Sequence, residues 1–339
     1  MIGTFIKHFF VFSLTFFCSL TYALEPLQNS SEEDPLHLKL PPLKRKFSQA
    51  SILDRDDRPF KKITNPSMTN CNPVHHVPLH LLKNLAFSYI VHKLGTPIFQ
   101  KKSSKDNVLT FSSKDIFPLV NPHYIAFFNK ETKGGYLSIH SLTKGPRPRI
   151  HQKNHHQKFI PDRRLQPKLR LYHEDFQDPQ SLYSRGHLTP NGDMQNPRDK
   201  KQTFLLSNVV PQIQKGFNDT LWNRVELCGR YLSQQTHQMI AYTGVIFDER
   251  ASYVNGAKRS PVIPQYFYKV FLLINKKYST FKTLVYLIEN RSYKGENQDL
   301  SRFIISLQEL EDISGIHFFP HLDRKLLQNA NDELSALCL

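Results

Sequence analysis

Apolar and polar positions are spread unevenly along the 339 residues. After one apolar run at Phe9–Leu20, the stretch from residue 24 to about 70 has few periodic apolar positions. From about residue 75 the pattern turns globular. Val77 to Leu94 predicts a segment with a short helix, and the alternation of Tyr136 to Leu142 predicts a strand. Leu205 to Val210 is a short apolar run. Asp219 to Gln234 has helical spacing, with Leu221, Trp222, Val225 and Leu232 on its apolar face. Three runs rich in β-branched and aromatic residues follow, at Met239–Phe247, Tyr266–Ile274 and Phe281–Ile288, and each predicts a strand. Ile304 to Phe319 predicts a last strand and a short helix. Strands mixed with segregated helices, without an internal repeat, predict an α+β domain built on an antiparallel sheet.

The N-terminal run changes the picture at one end. Met1 to Lys7 is short and positive, Phe9 to Leu20 is apolar, and Thr21-Tyr22-Ala23 places small residues where a signal peptidase cuts. The expectation is a signal peptide over 1–23, a secreted or periplasmic product, and no stable membrane insertion after cleavage. A retained signal anchor is the rival reading, though the run is short for a span of about 20 apolar residues. Residues 24–70, with Pro41-Pro42 and Lys44-Arg45-Lys46, read as a basic disordered linker that buries too little to offset its ordering entropy. The folded domain is expected over 71–330. Of four cysteines, Cys71, Cys228 and Cys338 remain after cleavage; one bridge and one free thiol are allowed, and spacing does not pair them.

Charge narrows the partner. Lys and Arg number 45 against 29 Asp and Glu, a formal net charge of +16. Such a surplus suits a polyanion: nucleic acid, an anionic membrane or an acidic glycan. It is densest at residues 144–170, where nine Lys and Arg, including Arg147, Arg149, Arg163 and Arg164, face a single acid, Asp162. This reads as a long basic loop able to contact phosphates. His151, His155 and His156 lie in it without the spacing of a zinc site.

Three segments carry candidate chemistry: Ser184-Arg185-Gly186-His187, then Ser207-Asn208 followed by Pro211-Gln212, then Asn218, Trp222 and Glu226. Hydrolysing a phosphodiester requires a base to deprotonate water and positive charge to meet the growing negative charge. A histidine suits the first task, a divalent cation the second, and an arginine adds charge-matched hydrogen bonds to phosphate. Asn218, Trp222 and Glu226 fall on one helical face. An amide oxygen at Asn218 suits a hard ion such as Mg²⁺, which takes few protein ligands. The same residues have plainer roles: Asn218 as a helix cap, Trp222 in the core, and Glu226 as a solvated partner of Arg230.

Together these boxes resemble the DNA/RNA non-specific endonucleases, the ββα-metal group. The resemblance continues through Tyr242-Thr243-Gly244, Val262 to Lys269, Glu309 to Gly315 and Phe318-Phe319-Pro320. It implies a ββα-metal nuclease fold, with a central antiparallel sheet flanked by helices. It also implies a metal-dependent enzyme that cuts DNA, RNA or both with little sequence specificity. His187 would be the general base, Asn218 the one protein ligand of Mg²⁺ or Mn²⁺, Arg185 a phosphate contact, Glu226 a holder of the ion's water, and Asn208 a support. Arg147, Arg149, Arg163 and Arg164 would meet nucleic acid. Two departures stand out: Ser184 replaces the family's common Asp, and His155, His156 and Gln157 precede Phe159-Ile-Pro-Asp162 where many members carry Arg. The alternative is a catalytically inactive nucleic-acid-binding protein on the same fold. A basic membrane-surface protein would leave the three boxes unexplained, and a homodimer stays open.

Overall fold

A computed structural model describes residues 77, 82, 85–101, 107–144, 158–277, 279–294 and 298–338. All belong to one compact unit, Met68–Leu339. The leader, the linker, Arg147, Arg149 and His151 to His156 lie outside the described residues.

In chain order the described elements begin with α1 (Ser88–Leu94), β1 (Ile98–Phe99), β2 (Val108–Leu109), β3 (Ile116–Val120), β4 (Tyr124–Asn129), β5 (Gly134–Leu142) and β6 (Tyr183–His187). Then come α2 (Pro197–Gln202), β7 (Val209–Ile213), a π-type segment at Gln214–Trp222, α3 (Asn223–Gln235), β8 (Gln238–Asp248), β9 (Tyr266–Ile274) and β10 (Phe281–Glu289). The chain closes with α4 (Leu307–Ser314), β11 (Ile316–His317), β12 (Leu327–Asn329) and α5 (Asn331–Ser335). Eight strands form one sheet in the order β12-β10-β9-β8-β5-β4-β3, with β2 added to β8. Every pair is antiparallel except β10–β12.

Every residue of β9 is buried. A strand covered on both faces reads as an unbroken apolar run, and the covering elements are visible. Phe267 and Phe271 alternate onto the face beneath the helices, where Phe267 meets Phe217 and Trp222. Tyr268 points the other way and meets Phe318 edge-on, as does Tyr242 from β8. A second apolar cluster, with Tyr124, Phe128, Leu165, Phe176 and Val209, packs around β4 near the start of β7. Pairing of Ile98 with His317 joins the beginning of the fold to its end.

Ordered packing runs past residue 330. Asn331–Ser335 is helical, Lys282 pairs with Glu333 at 2.7 Å, and a disulfide joins Cys228 in α3 to Cys338. Among the described residues no helix is long and apolar enough to cross a membrane.

The disulfide closes a loop of 110 residues. Closing a loop of that size removes denatured-state entropy and contributes about 2–4 kcal/mol. Urea unfolding of Cys338→Ser, or of the wild type under reductant, is expected to show an unfolding free energy lower by that amount and so a lower midpoint; an unchanged midpoint would mean that the bridge adds nothing to stability.

Candidate active site

The site is a strand pair followed by a helix. β6 and β7 pair antiparallel from Tyr183–Ile213 to His187–Val209. The register leaves no room for a side chain at Gly186, where a Cβ would stand 2.1 Å from Gln212 Oε1. This close approach explains why glycine sits between the arginine and the histidine. After β7 the chain breaks at Lys215 and Gly216, the latter at φ +77°, before turning helical. The left-handed glycine re-aims the chain, so that Asn218 starts the helix beside β6. Buried Phe217 pins the turn against Phe267 and Tyr293.

Asn218 is tied to the hairpin. Its Nδ2 donates to Ser184 Oγ at 3.0 Å and to Gln214 Oε1 at 3.3 Å, and Ser184 Oγ donates to the Gln212 carbonyl at 3.1 Å. The amide nitrogen is thus spent, and Oδ1 is left as a fixed, neutral oxygen donor. Ser184 thus links helix to hairpin. The buried Gln212 amide, which packs over Gly186, has neither its Nε2 nor its Oε1 paired. A fixed, neutral amide oxygen of this kind fits a hydrated divalent ion bound by few protein ligands. Among the described residues no cluster of three or more His, Cys, Asp or Glu is placed to hold a metal.

His187 and Arg185, two apart on β6, share one face. The His187 ring packs against Phe159, at 5.1 Å, and Phe204, at 4.9 Å, two rings that also touch each other at 5.0 Å. Its Nε2 is buried without a partner. Removal from water disfavours the imidazolium and pushes His187 down to about 4. The ring is therefore neutral at pH 7. The Arg185 guanidinium lies 5.0 Å over the same Phe159 ring and touches the His173 imidazole.

Other predicted site residues are placed differently. Asn208 is fully buried and braces the loop after His187: Oδ1 accepts from Thr189 N at 2.9 Å, and Nδ2 donates to the carbonyls of Thr189 and Thr203 at 3.0 Å each. Glu226 makes no hydrogen bond to His187 or Asn218 among the described residues. It accepts from Arg230 Nη2 at 3.0 Å, and with a side chain only 15% exposed it is far from a solvated surface partner. Arg230 Nε also donates to Asp193 Oδ1 at 2.7 Å, while Asp193 Oδ2 meets His140 Nε2 at 2.9 Å. Arg164 forks onto Asp162 and donates to the Val120 carbonyl, so its guanidinium is occupied. Arg163 is exposed.

Sequence reasoning missed His173, Asp193, His140 and Lys269 as members of this region. Only the i, i+4 spacing of Glu226 and Arg230 was a local signal; the others come from distant segments.

Residues 103–325 match the DNA/RNA non-specific endonuclease family. The chain is 32% identical over 180 residues to the human mitochondrial nuclease EXOG, covering 50% of this chain and 48% of that protein. It is 26% identical over 273 residues to a nuclease of Syncephalastrum racemosum, covering 72% of this chain and 81% of that one. The fold is similar to a chain in the crystal structure of the EndoG/EndoGI complex, with TM-score 0.55 and 21% identity over 62% of this chain and 89% of that one. The chain spans about half the length of the EXOG relatives it matches. Relatives named mitochondrial in human, mouse, fission yeast and Caenorhabditis elegans overturn the expected secreted or periplasmic destination. That expectation rested on a short cationic and apolar N-terminal run, a local signal that several membrane-directed segments share. By the span matched, about two thirds of its length, the chain belongs to the DNA/RNA non-specific endonucleases, a metal-dependent family.

Proposed function

We propose that this chain is a metal-dependent nuclease that hydrolyses phosphodiester bonds of DNA, RNA or both, and that it works in mitochondria. The observation that carries the reading is the Asn218–Ser184 hydrogen bond. It locks the helix to the strand that bears His187 and leaves the Asn218 amide oxygen unspent. In this reading Asn218 holds Mg²⁺ or Mn²⁺, and the bound ion supplies Lewis acidity to the scissile phosphate and the leaving oxygen. His187, neutral in its aromatic seat, takes the proton from the attacking water; with Nε2 enclosed, Nδ1 is the nitrogen for transfer. Arg185, oriented by Phe159 and His173, donates to a phosphate oxygen. Glu226, held by Arg230, orients water near the ion.

Digestion of plasmid and of RNA by the purified chain tests this. Cleavage is expected with Mg²⁺ and not with EDTA. His187→Ala should cut turnover by about 10²- to 10⁴-fold, the usual worth of a general base, and Asn218→Ala should weaken Mn²⁺ binding measured by titration. Absence of cleavage under any divalent ion, with nucleic-acid binding retained, would sink the enzyme and leave a binding protein on a nuclease fold.

The state of His187 sets the acid limb. A base pushed down to about 4 stays deprotonated well below its ordinary 6.5. Because kcat/KM reports the free enzyme, its profile is expected to stay level from pH 7 to below 6 and to fall only toward pH 4. An acid limb centred at 6.5 would mean that the ring titrates in water. The same burial affects stability. Between pH 6.5 and about 4 the unfolded chain binds a proton that the folded ring refuses, so this contribution to stability falls as pH falls through that window.

A further inference from the structure

Beside the catalytic wall lies a cleft of about 780 Å³ that the reaction above does not use. Phe159 and Phe204 hold the His187 ring, and the next residue of each segment, Ile160 and Leu205, pair with one another and line this cleft. The cleft therefore begins one residue along from both rings that seat the base. Its volume falls within the range of small-molecule sites, about 300–1,000 Å³. Ile160 is 42% exposed, a large apolar side chain facing solvent.

Three arginines and Tyr172 also line it. Two of the arginines are committed to the fold. Arg164 is held by Asp162 and the Val120 carbonyl, and Arg170 Nη2 donates to the carbonyls of Arg163 and Leu165. Arg163 is exposed, and among the described residues its side chain makes no hydrogen bond or ion pair. The only carboxylate in the lining, Asp162, is already engaged by Arg164 and by Ser207 Oγ at 2.6 Å. What remains for a ligand is a largely apolar surface with the exposed Arg163 guanidinium at its side, the unpaired Nε of Arg170 being buried.

We propose that this cleft is a subsite for one unpaired nucleotide of the substrate strand, with the base against Ile160 and Leu205 and its phosphate on Arg163. The proposal rests on the nuclease reading and extends it to substrate choice. A base inside a duplex has both faces stacked and cannot enter without unpairing and unstacking, which costs a few kcal/mol, whereas a single strand presents its bases freely. The subsite thus favours single strands, frayed ends and gaps over intact duplex, next to a catalytic centre that is itself indifferent to sequence.

The test measures binding without cleavage. Full-length His187→Ala protein in EDTA is titrated with a fluorescent single-stranded 12-mer and with the corresponding blunt duplex, at several salt concentrations. The single strand is expected to bind tighter. In the Arg163→Ala background its log K against log [salt] slope should fall by about 0.7, the value of one phosphate contact on a single strand. Ile160→Ser should weaken single-strand binding at unchanged slope, and both changes should leave the duplex affinity within about twofold, since surface substitutions away from a contact are near neutral. Equal losses for both nucleic acids would reduce Arg163 to general electrostatics and overturn the subsite. So would unchanged single-strand binding in both variants. Ile160 and Arg163 are exposed, so thermal unfolding should be unaffected, and a drop in melting temperature flags a misfolded variant to be replaced by Arg163→Gln. These readouts stand whether or not the wild type cuts, so failure of the subsite is separable from failure of the nuclease reading.

Discussion

A buried set of charges under α3 holds the site together. Asp193, from the loop that follows His187, accepts from Arg230 of α3 and from His140 of β5. Arg230 also holds Glu226, and Lys269 of β9, only 1% exposed, sits 5.4 Å over the Trp222 ring. Two carboxylates face two cations with a neutral histidine between them. Burial alone would raise Asp193, but the His140 hydrogen bond and the charges of Arg230 and Lys269 outweigh it and keep the carboxyl ionised. Burial pushes Lys269 down, against the pull of Glu226 and Asp193. Burial also pushes His140 down, so the ring stays neutral. Removing one member leaves an uncompensated charge in an apolar setting, at a cost of about 3–5 kcal/mol. The set spans the loop after His187, the helix after Asn218, and two central strands. The relative position of His187 and Asn218 is thus fixed from below by electrostatics and from above by Ser184.

This division explains why so few side chains need to reach the reacting phosphate. The proposed mechanism needs one base, one oxygen donor and one cationic contact, each held rigidly. Here the base is held by two aromatic rings, the oxygen donor by hydrogen bonds on its own nitrogen, and the arginine by Phe159 and His173. Rigid seating limits reorganisation when charge develops, which is where such sites gain most of their effect. Glu226 takes its place by the same logic. Burial and the nearby Asp193 charge raise its pKa, while Lys269 and Arg230 oppose them, so its ionisation depends on the same set.

Much of this was legible in the chain. The strands at 239–247, 266–274 and 281–288 could be read because fully covered strands are continuous runs of aromatic and β-branched residues. β3 was not read. Pro118 interrupts its pattern, and it is tolerated because β3 is the last strand of the sheet. β4 is a short unbroken apolar run, which periodicity does not assign to strand or helix. The break at Lys215–Gly216 moved the helical turn ahead of Asp219, so Asn218 lies within it and not before it. At the site, Arg185, His187 and Asn218 stood out because they cluster in short ordered boxes. The charge set did not, because His140, Asp193, Arg230 and Lys269 come from four separate segments and only the fold brings them together. Arg164 was read as a phosphate contact from charge density alone. Asp162, the one acid in that loop, is what occupies it.

The aromatic seat of His187 shows how the same burial serves chemistry at a thermodynamic cost. In water the ring would be partly protonated near neutrality and would carry a positive charge toward the metal site. Packed against the touching rings of Phe159 and Phe204, it is neutral without needing a carboxylate to tune it. A cation at Asn218 would act in the same direction, since positive charge nearby also disfavours the imidazolium. In the proposed mechanism both effects would keep His187 deprotonated, without an acidic partner that would compete with phosphate for Arg185. That separation accounts for Ser184. With His187 neutral through burial, Ser184 joins helix and hairpin with an uncharged hydroxyl.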